Sequence, residues 1–281
     1  MKRLAVLGHP VAHSRSPAMQ TAALRELGLG EEWSYEAIDM PPADFAGLTR
    51  ALPAEGFVGA NVTIPHKEAA LAIAGEASAT ATEIGAANTL SFSGGEIRAE
   101  NTDAPGLLAA LERSPAGMRA LVLGAGGSAR AAAWALSGQG ASVELWNRTP
   151  ERADELVQTL AGNRTETEED QPNLAVVSSE QARVAPYELI VNCTAIGMPD
   201  AGPDQPFEQL PLDPERFDEG VVVVDLVYAG GETMLARRAR EGGAEVIDGL
   251  EVLVRQGAES LRIWTGREPP LEAMREAARR G

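Results

Sequence analysis

The chain has 281 residues, 44% of them apolar, which is enough for two domains with substantial buried cores. Its 41 acidic residues outnumber its 24 lysines and arginines, so the formal net charge is -17 at pH 7. This charge repels phosphate backbones and anionic membrane surfaces, which argues against nucleic acid and lipid as partners. An anionic ligand must therefore be captured by local hydrogen-bond donors.

Several features of the sequence favour a cytoplasmic protein. The only cysteine, Cys193, cannot form an intrachain disulfide, as expected of a chain kept in a reducing compartment. The apolar run at residues 4–7 is too short for the core of a secretory signal. No uncharged apolar run approaches the roughly 18 residues that a membrane span needs.

Lysine is rare in this chain. Lys2 and Lys67 are the only lysines among the 24 basic residues, and the others are arginines. Arginine does not give up its proton in proteins, whereas lysine can. Lys67 is therefore either a chance survivor of a biased composition or a residue suited to proton transfer.

The first hundred residues alternate predicted strands with predicted helices. In chain order these are a strand at 4–7, a helix at 16–27, a strand at 33–38, a helix at 42–52, a strand at 57–62 and a helix from about 65. Ser16-Pro17 supplies the first helix with an N-cap and an N1 proline. Ser93-Gly94-Gly95 separates runs at 88–92 and 96–100, which predicts a hairpin.

The same alternation restarts after a connecting helix over residues 103–111. Strands are predicted at 120–123, 142–146, 174–177, 189–191, 221–225 and 244–247, helices at 128–136, 150–160 and 233–240, and two closing helices from 250. Polar stretches at 162–173 and 200–214 are predicted to be loops. Alternating strands and helices indicate the α/β class with a mostly parallel sheet.

A glycine-rich turn lies between the strand at 120–123 and the helix that follows it. Gly124, Gly126 and Ala129 match the dinucleotide-binding pattern G-x-G-x-x-A. The first glycine permits the tight turn, the second lets the pyrophosphate approach, and the alanine lets the helix pack on the strand. The free N–H groups at the helix start can bind phosphates without a lysine.

The end of the next strand bears on the choice between NADP and NAD. An NAD site usually has an Asp or Glu there, whereas this chain has Asn147-Arg148-Thr149. Arg148 can stack on adenine and pair with a 2'-phosphate. The alternative is a surface arginine at a strand end, but the upstream glycine pattern favours NADP.

Four polar motifs in the first 103 residues are not explained by packing. They are Ser14 with Ser16, the run from Asn61 through Thr63 to Lys67, Ala87-Asn88-Thr89, and Asn101-Thr102-Asp103. Hydroxyls just before a helix N-terminus can hold a carboxylate. Two of the residues also have a structural alternative, because Ser16 can serve as an N-cap and Asp103 as a helix cap.

Taken together, these motifs resemble the shikimate dehydrogenase family. The resemblance extends to Asn192-x-Thr194-x-x-Gly197-Met198, Asp225-x-x-Tyr228 and Gly249 with Gln256, so it spans nearly the whole chain. It implies two domains of the α/β class. Residues 1–102 plus 250–281 would form a substrate-binding domain, and residues 103–249 a Rossmann-type domain with a mostly parallel sheet. The active site would lie in the cleft between them.

The family resemblance also implies an activity and its residues. The activity is reversible NADPH-dependent reduction of 3-dehydroshikimate to shikimate, in aromatic amino acid and chorismate biosynthesis, without a metal. The implied catalytic pair is Lys67 and Asp103. The implied substrate contacts are Ser14, Ser16, Thr63, Asn88, Asp103, Tyr228 and Gln256. The implied NADP site is Gly124, Ala125, Gly126, Gly127, Ser128, Asn147, Arg148, Thr149, Pro150, Glu151, Arg152, Thr194, Leu226 and Gly249.

The chemistry requires the protein to handle a proton. Oxidation of a secondary alcohol removes a hydride from carbon and a proton from oxygen, and nicotinamide takes only the hydride. We expect Lys67 to exchange the proton with the reacting oxygen and Asp103 to orient Lys67 and the substrate hydroxyl. The expected partner is the small-molecule substrate, shikimate or 3-dehydroshikimate, and a homodimer is compatible with the sequence.

Two departures from the family pattern and two alternative functions remain. Gln20 and Thr21 stand where the family usually has a His-Asn pair, and the usual methionine is replaced within residues 250–253. One alternative is an enzyme that also accepts quinate and uses NAD, against which Ser16 argues because threonine often marks such relatives. The other is a non-catalytic dinucleotide-binding sensor, against which the presence of Lys67 and Asp103 argues.

Overall fold

The computed structural model describes residues 1–163, 173–198, 202, 204–228 and 231–280. Within these ranges the chain forms two compact units, each built around a six-stranded sheet. The first unit comprises Met1–Gly106 and the chain from Leu253 onward, and the second comprises Leu107–Val252. The domains predicted from sequence divide at nearby positions, but they assign Asp103 to the second domain, whereas the first unit contains it.

The first unit alternates strands and helices up to a hairpin. Its elements are β1 (Lys2–Gly8), α1 (Ser16–Glu26), β2 (Trp33–Asp39), α2 (Phe45–Ala51), β3 (Phe57–Val62), α3 (Lys67–Ile73), β4 (Glu76–Ala77), α4 (Ala79–Ile84), β5 (Thr89–Ser93), β6 (Glu96–Glu100), the start of α5 (Asp103–Leu111), most of α11 (Gly249–Thr265) and α12 (Leu271–Arg280). The strand order is β2-β1-β3-β5-β6-β4. β1 pairs in parallel with β2 and β3, whereas β5 is antiparallel to both β3 and β6.

A glycine in β3 permits close packing by the last long helix. Trp264 on α11 donates its indole N–H to the Leu90 carbonyl at 3.0 Å. A Cβ at Gly59 would lie 2.3 Å from the indole nitrogen and 2.8 Å from the same carbonyl oxygen. Only a residue without a side chain therefore fits between β5 and the indole.

The second unit has an all-parallel sheet. Its elements are the rest of α5, β7 (Arg119–Leu123), α6 (Gly127–Gly138), β8 (Ser142–Trp146), α7 (Pro150–Asn163), β9 (Leu174–Val176), α8 (Ser179–Val184), β10 (Leu189–Asn192), α9 (Pro206–Gln209), β11 (Val222–Asp225), α10 (Met234–Glu241), β12 (Glu245–Asp248) and the start of α11. The order β12-β11-β10-β7-β8-β9 reverses between β7 and β10, as in doubly wound dinucleotide-binding sheets.

The two faces of this second sheet bury separate apolar clusters. On β7, Val122 belongs to the cluster that packs with α6 and α7, and Leu121 and Leu123 belong to the opposite cluster with α10. Successive side chains of a strand point to opposite faces, so a strand covered on both sides must be apolar throughout. This explains why its strands appear in the sequence as continuous apolar runs.

The structure corrects several expectations about local structure. Ser16 is the first residue of α1 and not its N-cap, which is Arg15. The helix predicted at 42–52 is confined to Phe45–Ala51 and is followed by a 3-10 turn at Leu52–Glu55. The loop predicted at 200–214 contains α9, and part of it lies outside the described residues. Of the loop predicted at 162–173, the first two residues continue α7 and 164–172 lie outside the described residues.

Three short elements were absent from the prediction, namely β4, α4 and α8. α4 has local signals in the sequence: Ser78 accepts from the Ala81 N–H as an N-cap, and Gly85 ends the helix at φ +74°. α8 begins with a capping box between Ser178 and Gln181. Both helices have only six residues, too few to display a helical period.

Candidate active site

Lys67 and Asp103 form an ion pair within the first unit. Lys67 Nζ lies 2.6 Å from Asp103 Oδ2, and the two side chains are only 10% and 17% exposed. Each is the first residue of a helix, Lys67 of α3 and Asp103 of α5. A hydrogen bond between two ionised groups at this distance is stronger than one between neutral groups. The structure therefore brings together the two side chains that the sequence put forward as a pair.

Asn101, rather than Asp103, caps α5. Asn101 Oδ1 accepts from the N–H groups of Asp103 and Ala104 at 3.1 and 3.3 Å, the role expected of an N-cap asparagine. Asn101 Nδ2 donates to the Ala86 carbonyl at 2.9 Å, which ties this turn to the loop before β5. The cap interpretation of Asp103 is therefore wrong, and its carboxylate is directed to Lys67 instead.

The orientation of the buried Asn88 amide is determined by the main chain. The Thr102 N–H lies 2.7 Å from Asn88 Oδ1, and because an N–H must donate, the facing atom must be the oxygen. Asn88 Nδ2 consequently faces Asp103 Oδ1 at 2.9 Å. Asp103 therefore accepts from Lys67 on one oxygen and from Asn88 on the other.

Gln256 from α11 completes this cluster. Gln256 Nε2 donates to the Leu253 carbonyl at 2.9 Å, so its Oε1 points to Asn88 Nδ2 at 3.0 Å. Asn88 Nδ2 also lies 2.9 Å from Thr102 Oγ1 and from Asp103 Oδ1. An amide nitrogen has two protons for these three acceptors, and the Thr102 hydroxyl can donate its own proton to Gln256 Oε1 at 3.4 Å. The cluster therefore combines a carboxylate, two amides and a hydroxyl, groups that can exchange hydrogen bonds with a hydroxylated ligand.

The predicted hydroxyl-bearing residues lie on the loops after β1 and β3 and at the start of α1, and these two strands are parallel neighbours whose carboxyl ends share one edge of the sheet. Ser14 Oγ accepts from the Ser16 N–H at 3.3 Å, and Ser16 is buried while Ser14 and Thr63 are half-buried. A Cβ at Gly8 would lie 2.5 Å from Thr63 Cγ2, so that glycine allows the two loops to touch.

Gln20, which departs from the family pattern, lies within the protein. It is completely buried on α1, and its Nε2 donates to the Gly257 carbonyl on α11 at 2.9 Å. A Cβ at Gly257 would lie 3.2 Å from that nitrogen. The replacement therefore serves packing between α1 and α11, next to the helix position of Gln256.

In the second unit, Gly124 lies where the strand order reverses. Gly124 has φ +110°, a left-handed conformation that favours glycine, and a Cβ there would lie 3.3 Å from the main chain of Cys193 after β10. Gly126 is the N-cap of α6, is exposed, and has no neighbour within 4 Å of a Cβ position. Ala125 is buried, and Gly127 and Ser128 are half-buried in the first turn.

The segment after β8 presents polar groups to solvent. Asn147 Nδ2 donates to the Thr149 carbonyl at 2.8 Å, which closes a tight turn before α7. Arg148 and Thr149 are exposed, as are Pro150, Glu151 and Arg152 at the start of the helix. Arg148 makes no ion pair with any residue that the structure describes. Its guanidinium lies at the surface near the end of β8.

A buried carboxylate organises the loops after β10 and β11. Asp225 accepts from Asn192 Nδ2 at 2.9 Å and from the Thr233 hydroxyl at 2.5 Å. Asn192 Oδ1 in turn accepts from the Thr194 hydroxyl at 2.7 Å, which holds Thr194 beside the strand end. Burial raises the pKa of Asp225, and the hydrogen bonds from Thr233 and Asn192 partly oppose that rise.

The remaining predicted residues of this unit lie close to Asp225 in sequence or space. A Cβ at Gly249 would lie 2.5 Å from the Leu226 carbonyl oxygen, so α11 begins in close contact with the loop after β11. Leu226 donates its N–H to the Asn192 carbonyl at 3.1 Å. Tyr228 follows in the same loop and is half-buried. These positions therefore gather on the loops at the carboxyl edge of the parallel sheet.

These observations define the class of the protein. One unit is a Rossmann-type fold with a glycine turn at its switch point, and the other is an α/β unit with a buried lysine-aspartate pair among amide and hydroxyl side chains. None of the helices in the described ranges is long and apolar enough to cross a membrane. This combination is typical of a dinucleotide-dependent dehydrogenase.

Comparison with known proteins identifies the family. Residues 6–90 match the model of the shikimate dehydrogenase substrate binding domain, 108–195 that of shikimate / quinate 5-dehydrogenase, and 249–279 that of the shikimate 5'-dehydrogenase C-terminal domain. The chain belongs to the shikimate dehydrogenase family.

Individual relatives match over nearly the full length. The shikimate dehydrogenase (NADP(+)) of Methanothermobacter thermautotrophicus is 41% identical, with 98% of this chain and 95% of that protein covered. A protein of the same name from Thermus thermophilus is 44% identical, with 100% and 98% covered. The crystal structure of a Thermus thermophilus shikimate 5-dehydrogenase in complex with NADP(H) and shikimate is 44% identical and superposes with a TM-score of 0.83, covering 100% of this chain and 99% of that one.

Proposed function

We propose that this protein catalyses the reversible NADPH-dependent reduction of 3-dehydroshikimate to shikimate. Its family membership supports the reaction, and the relatives named above carry that activity in their names. The single observation that carries the proposal is the Lys67–Asp103 pair at 2.6 Å, nearly buried within the first unit. A sensor that only bound the dinucleotide would not need such a pair.

Lys67 serves as the proton donor. When bound, the reduced nicotinamide supplies a hydride to the carbonyl carbon, so the protein must neutralise the oxygen. The Lys67 ammonium donates a proton to the developing alkoxide and recovers it from solvent after the product leaves. In the oxidative direction the same nitrogen accepts the hydroxyl proton. Asp103 holds the ammonium in place and accepts a hydrogen bond from the substrate.

The polar groups of the Asn88 cluster favour a substrate with several hydroxyl groups. Asp103 Oδ1 and Gln256 Oε1 are acceptors that already receive protons from Asn88, and each has a further lone pair that can accept from a substrate hydroxyl. Ser14, Ser16 and Thr63 then hold the carboxylate, because hydroxyls and main-chain N–H groups near a helix start bind anions. Tyr228, from the second unit, is the remaining proposed contact.

The residues of the second unit fit NADP. The turn at Gly124 has the left-handed conformation that the glycine pattern requires, and the first turn of α6 contains no acidic residue that would repel a pyrophosphate. Arg148, flanked by Asn147 and Thr149, would hold the 2'-phosphate, and Pro150, Glu151 and Arg152 follow it. Gly124 through Ser128, with Thr194, Leu226 and Gly249, would line the rest.

Further assignments accompany this function. We propose that the first unit, Met1–Gly106 with the chain from Leu253 onward, binds the substrate and that the second unit, Leu107–Val252, binds NADP. We propose a cytoplasmic location because the chain has one cysteine, which cannot form an intrachain disulfide. We also propose a homodimer, with which the sequence is compatible. Sedimentation at several protein concentrations tests the last of these.

The activity is tested by mixing protein, shikimate and NADP+ and following the nicotinamide absorbance. We expect reduction of NADP+, much weaker reduction of NAD+, and little turnover of quinate. Asp103→Asn keeps the size but removes the charge and leaves one acceptor oxygen for the two donors Lys67 and Asn88, and should lower kcat by about 10²-fold or more. Absence of turnover with every pair of substrate and cofactor would refute the proposed function and support the sensor. Equal turnover of quinate with NAD+ would assign the relaxed subfamily.

A further inference from the structure

A second layer of buried polar side chains lies behind Asn88 in the first unit. Asn61, Thr89 and Ser260 are 5%, 0% and 0% exposed, and none of the hydroxyls in this layer reaches solvent. Buried polar groups are costly unless they are hydrogen-bonded, so such a layer must have a fixed pattern of donors and acceptors. The pattern centres on Ser260, a residue that no motif in the sequence singled out.

The Ser260 hydroxyl joins three separate elements. Its Oγ lies 2.8 Å from Asn61 Nδ2 on β3, 2.8 Å from Thr89 Oγ1 on β5 and 3.1 Å from Thr102 Oγ1 just before α5. It also lies 3.1 Å from the Gln256 carbonyl on its own helix. The three side-chain partners are 199, 171 and 158 residues away in sequence. One hydroxyl on α11 thus connects β3, β5 and the segment before α5 through hydrogen bonds.

The donor on one side of Ser260 is determined by the main chain. Asn61 Nδ2 faces the Asn88 carbonyl at 3.3 Å, which can only accept, so this nitrogen also faces Ser260 as a donor, and the Tyr35 hydroxyl donates to Asn61 Oδ1 at 2.7 Å. Ser260 has one proton and two lone pairs, and Asn61 occupies one of the lone pairs. The Ser260 proton goes to the Gln256 carbonyl, so only the second lone pair remains to accept from Thr89 or Thr102, and this restricts the directions in which those two hydroxyls point.

These two threonines carry the effect to the candidate active site. Thr89 Oγ1 and Thr102 Oγ1 each lie 3.2 Å from Asn88 Oδ1, beside the Thr102 N–H that fixes that oxygen. The opposite end of the same amide contacts Asp103 and Gln256. If the threonine hydroxyls turn away, Asn88 Oδ1 keeps only the bond from the Thr102 N–H among these contacts, and the amide is held less firmly at its oxygen end.

We propose that Ser260 is a positioning residue, which through Thr89 and Thr102 holds Asn88 in the orientation that the substrate requires. The proposal rests on the proposed function, because it assigns Ser260 a role in that reaction without contact with substrate. Misplacement of a reacting group by about 1 Å can cost about 10²-fold in rate. A loosened amide should cost less than that, and mainly in substrate binding.

The test is steady-state kinetics of Ser260→Ala with shikimate and NADP+. We expect the KM for shikimate to rise about fivefold to twentyfold, kcat to fall less than that, and the KM for NADP+ to stay within about twofold. A purely structural role would lower the melting temperature and leave the KM for shikimate unchanged, and that result would overturn the proposal.

Thr265→Ala is the matched control. Thr265 lies on the same helix and donates to the carbonyl four residues earlier, Leu261, at 2.7 Å, as Ser260 does to Gln256. Within the described residues, Thr265 makes no hydrogen bond to Asn61, Thr89 or Thr102. Loss of this hydroxyl should affect stability without changing the KM for shikimate.

A double-mutant cycle with Asn88→Ala separates an action through Asn88 from a direct one. If Ser260 acts through the amide, Ser260→Ala should have almost no further effect on the KM for shikimate in the Asn88→Ala background. Effects that multiply independently would refute the proposed route. If Ser260→Ala does not fold, Ser260→Cys, which keeps a weak donor, replaces it in the same cycle. Inactive wild-type protein would refute the proposed function instead, so the two failures are distinguishable.

Discussion

Replacement of Lys67 by arginine tests the proton-transfer role directly. Lys67→Arg keeps a positive charge beside Asp103, so the carboxylate is not left as an unpaired, mostly buried charge. The guanidinium, however, does not release its proton at accessible pH and is a poor acid. The substitution therefore removes proton transfer while it preserves most of the electrostatic environment.

The expected loss of activity follows from the usual contribution of a general acid to an enzymatic rate. A positioned general acid contributes about 10²- to 10⁴-fold to the rate. At 1.36 kcal/mol per factor of ten, this corresponds to roughly 3 to 5 kcal/mol of barrier. Lys67→Met should lose similar activity and also stability. Breaking a buried pair costs about 3 to 5 kcal/mol. Asp103 is 17% exposed and keeps the Asn88 bond, so we expect less here.

The assay is kcat for NADP+ reduction by shikimate, measured with the melting temperature of each variant. We expect Lys67→Arg to melt near the wild type and to turn over about 10²- to 10⁴-fold more slowly. Turnover of Lys67→Arg within about threefold of the wild type would refute the assignment of Lys67 as the proton donor. A variant that is inactive because it is unfolded is recognised by its melting curve, and Lys67→Met then serves as a second comparison.

Three further predictions concern the cofactor, the core and pH. Arg148→Ala should raise the KM for NADP+ about tenfold to a hundredfold and leave that for NAD+ within about twofold, because a hydrogen bond to a charged group contributes about 1.5 to 3 kcal/mol. Arg183→Ala, an exposed arginine of the same unit, is the control, and equal effects on both cofactors would contradict the 2'-phosphate role. Gly59→Ala should lower the free energy of unfolding by roughly 1 to 3 kcal/mol, because its Cβ would overlap Trp264 and Leu90. Gly47→Ala, on α2 with no neighbour within 4 Å, should instead raise it by about 0.4 to 1 kcal/mol, and denaturant titration compares the two. Burial lowers the pKa of His66 below 6.5, so the unfolded state binds more protons in the window between that lowered value and 6.5. Stability should therefore fall as pH decreases through this window, and His66→Phe should show a flatter dependence of melting temperature on pH.

Most of the strands and helices could be predicted because their signals are local. The β3 bounds, the hairpin of β5 and β6, and the glycine turn after β7 are set by apolar runs and turn residues adjacent in sequence. The short elements were missed because a segment of six residues or fewer is too short to show a hydrophobic period in the sequence. The antiparallel insertion of β5 beside β3 depends on pairing between distant segments, which no local pattern encodes.

The residues of the candidate site divide in the same way. Polar motifs in the sequence put Lys67, Asn88 and Asp103 forward, and the resemblance to a known family added Gln256 and implied the pairing of Lys67 with Asp103. Only the tertiary structure shows how they interact. Asn101 caps α5, so the Asp103 carboxylate is directed to Lys67. Ser260 lies at the centre of a buried hydrogen-bond network. Hydrogen bonds between residues more than 150 positions apart depend on how the elements pack, so only the folded chain specifies them.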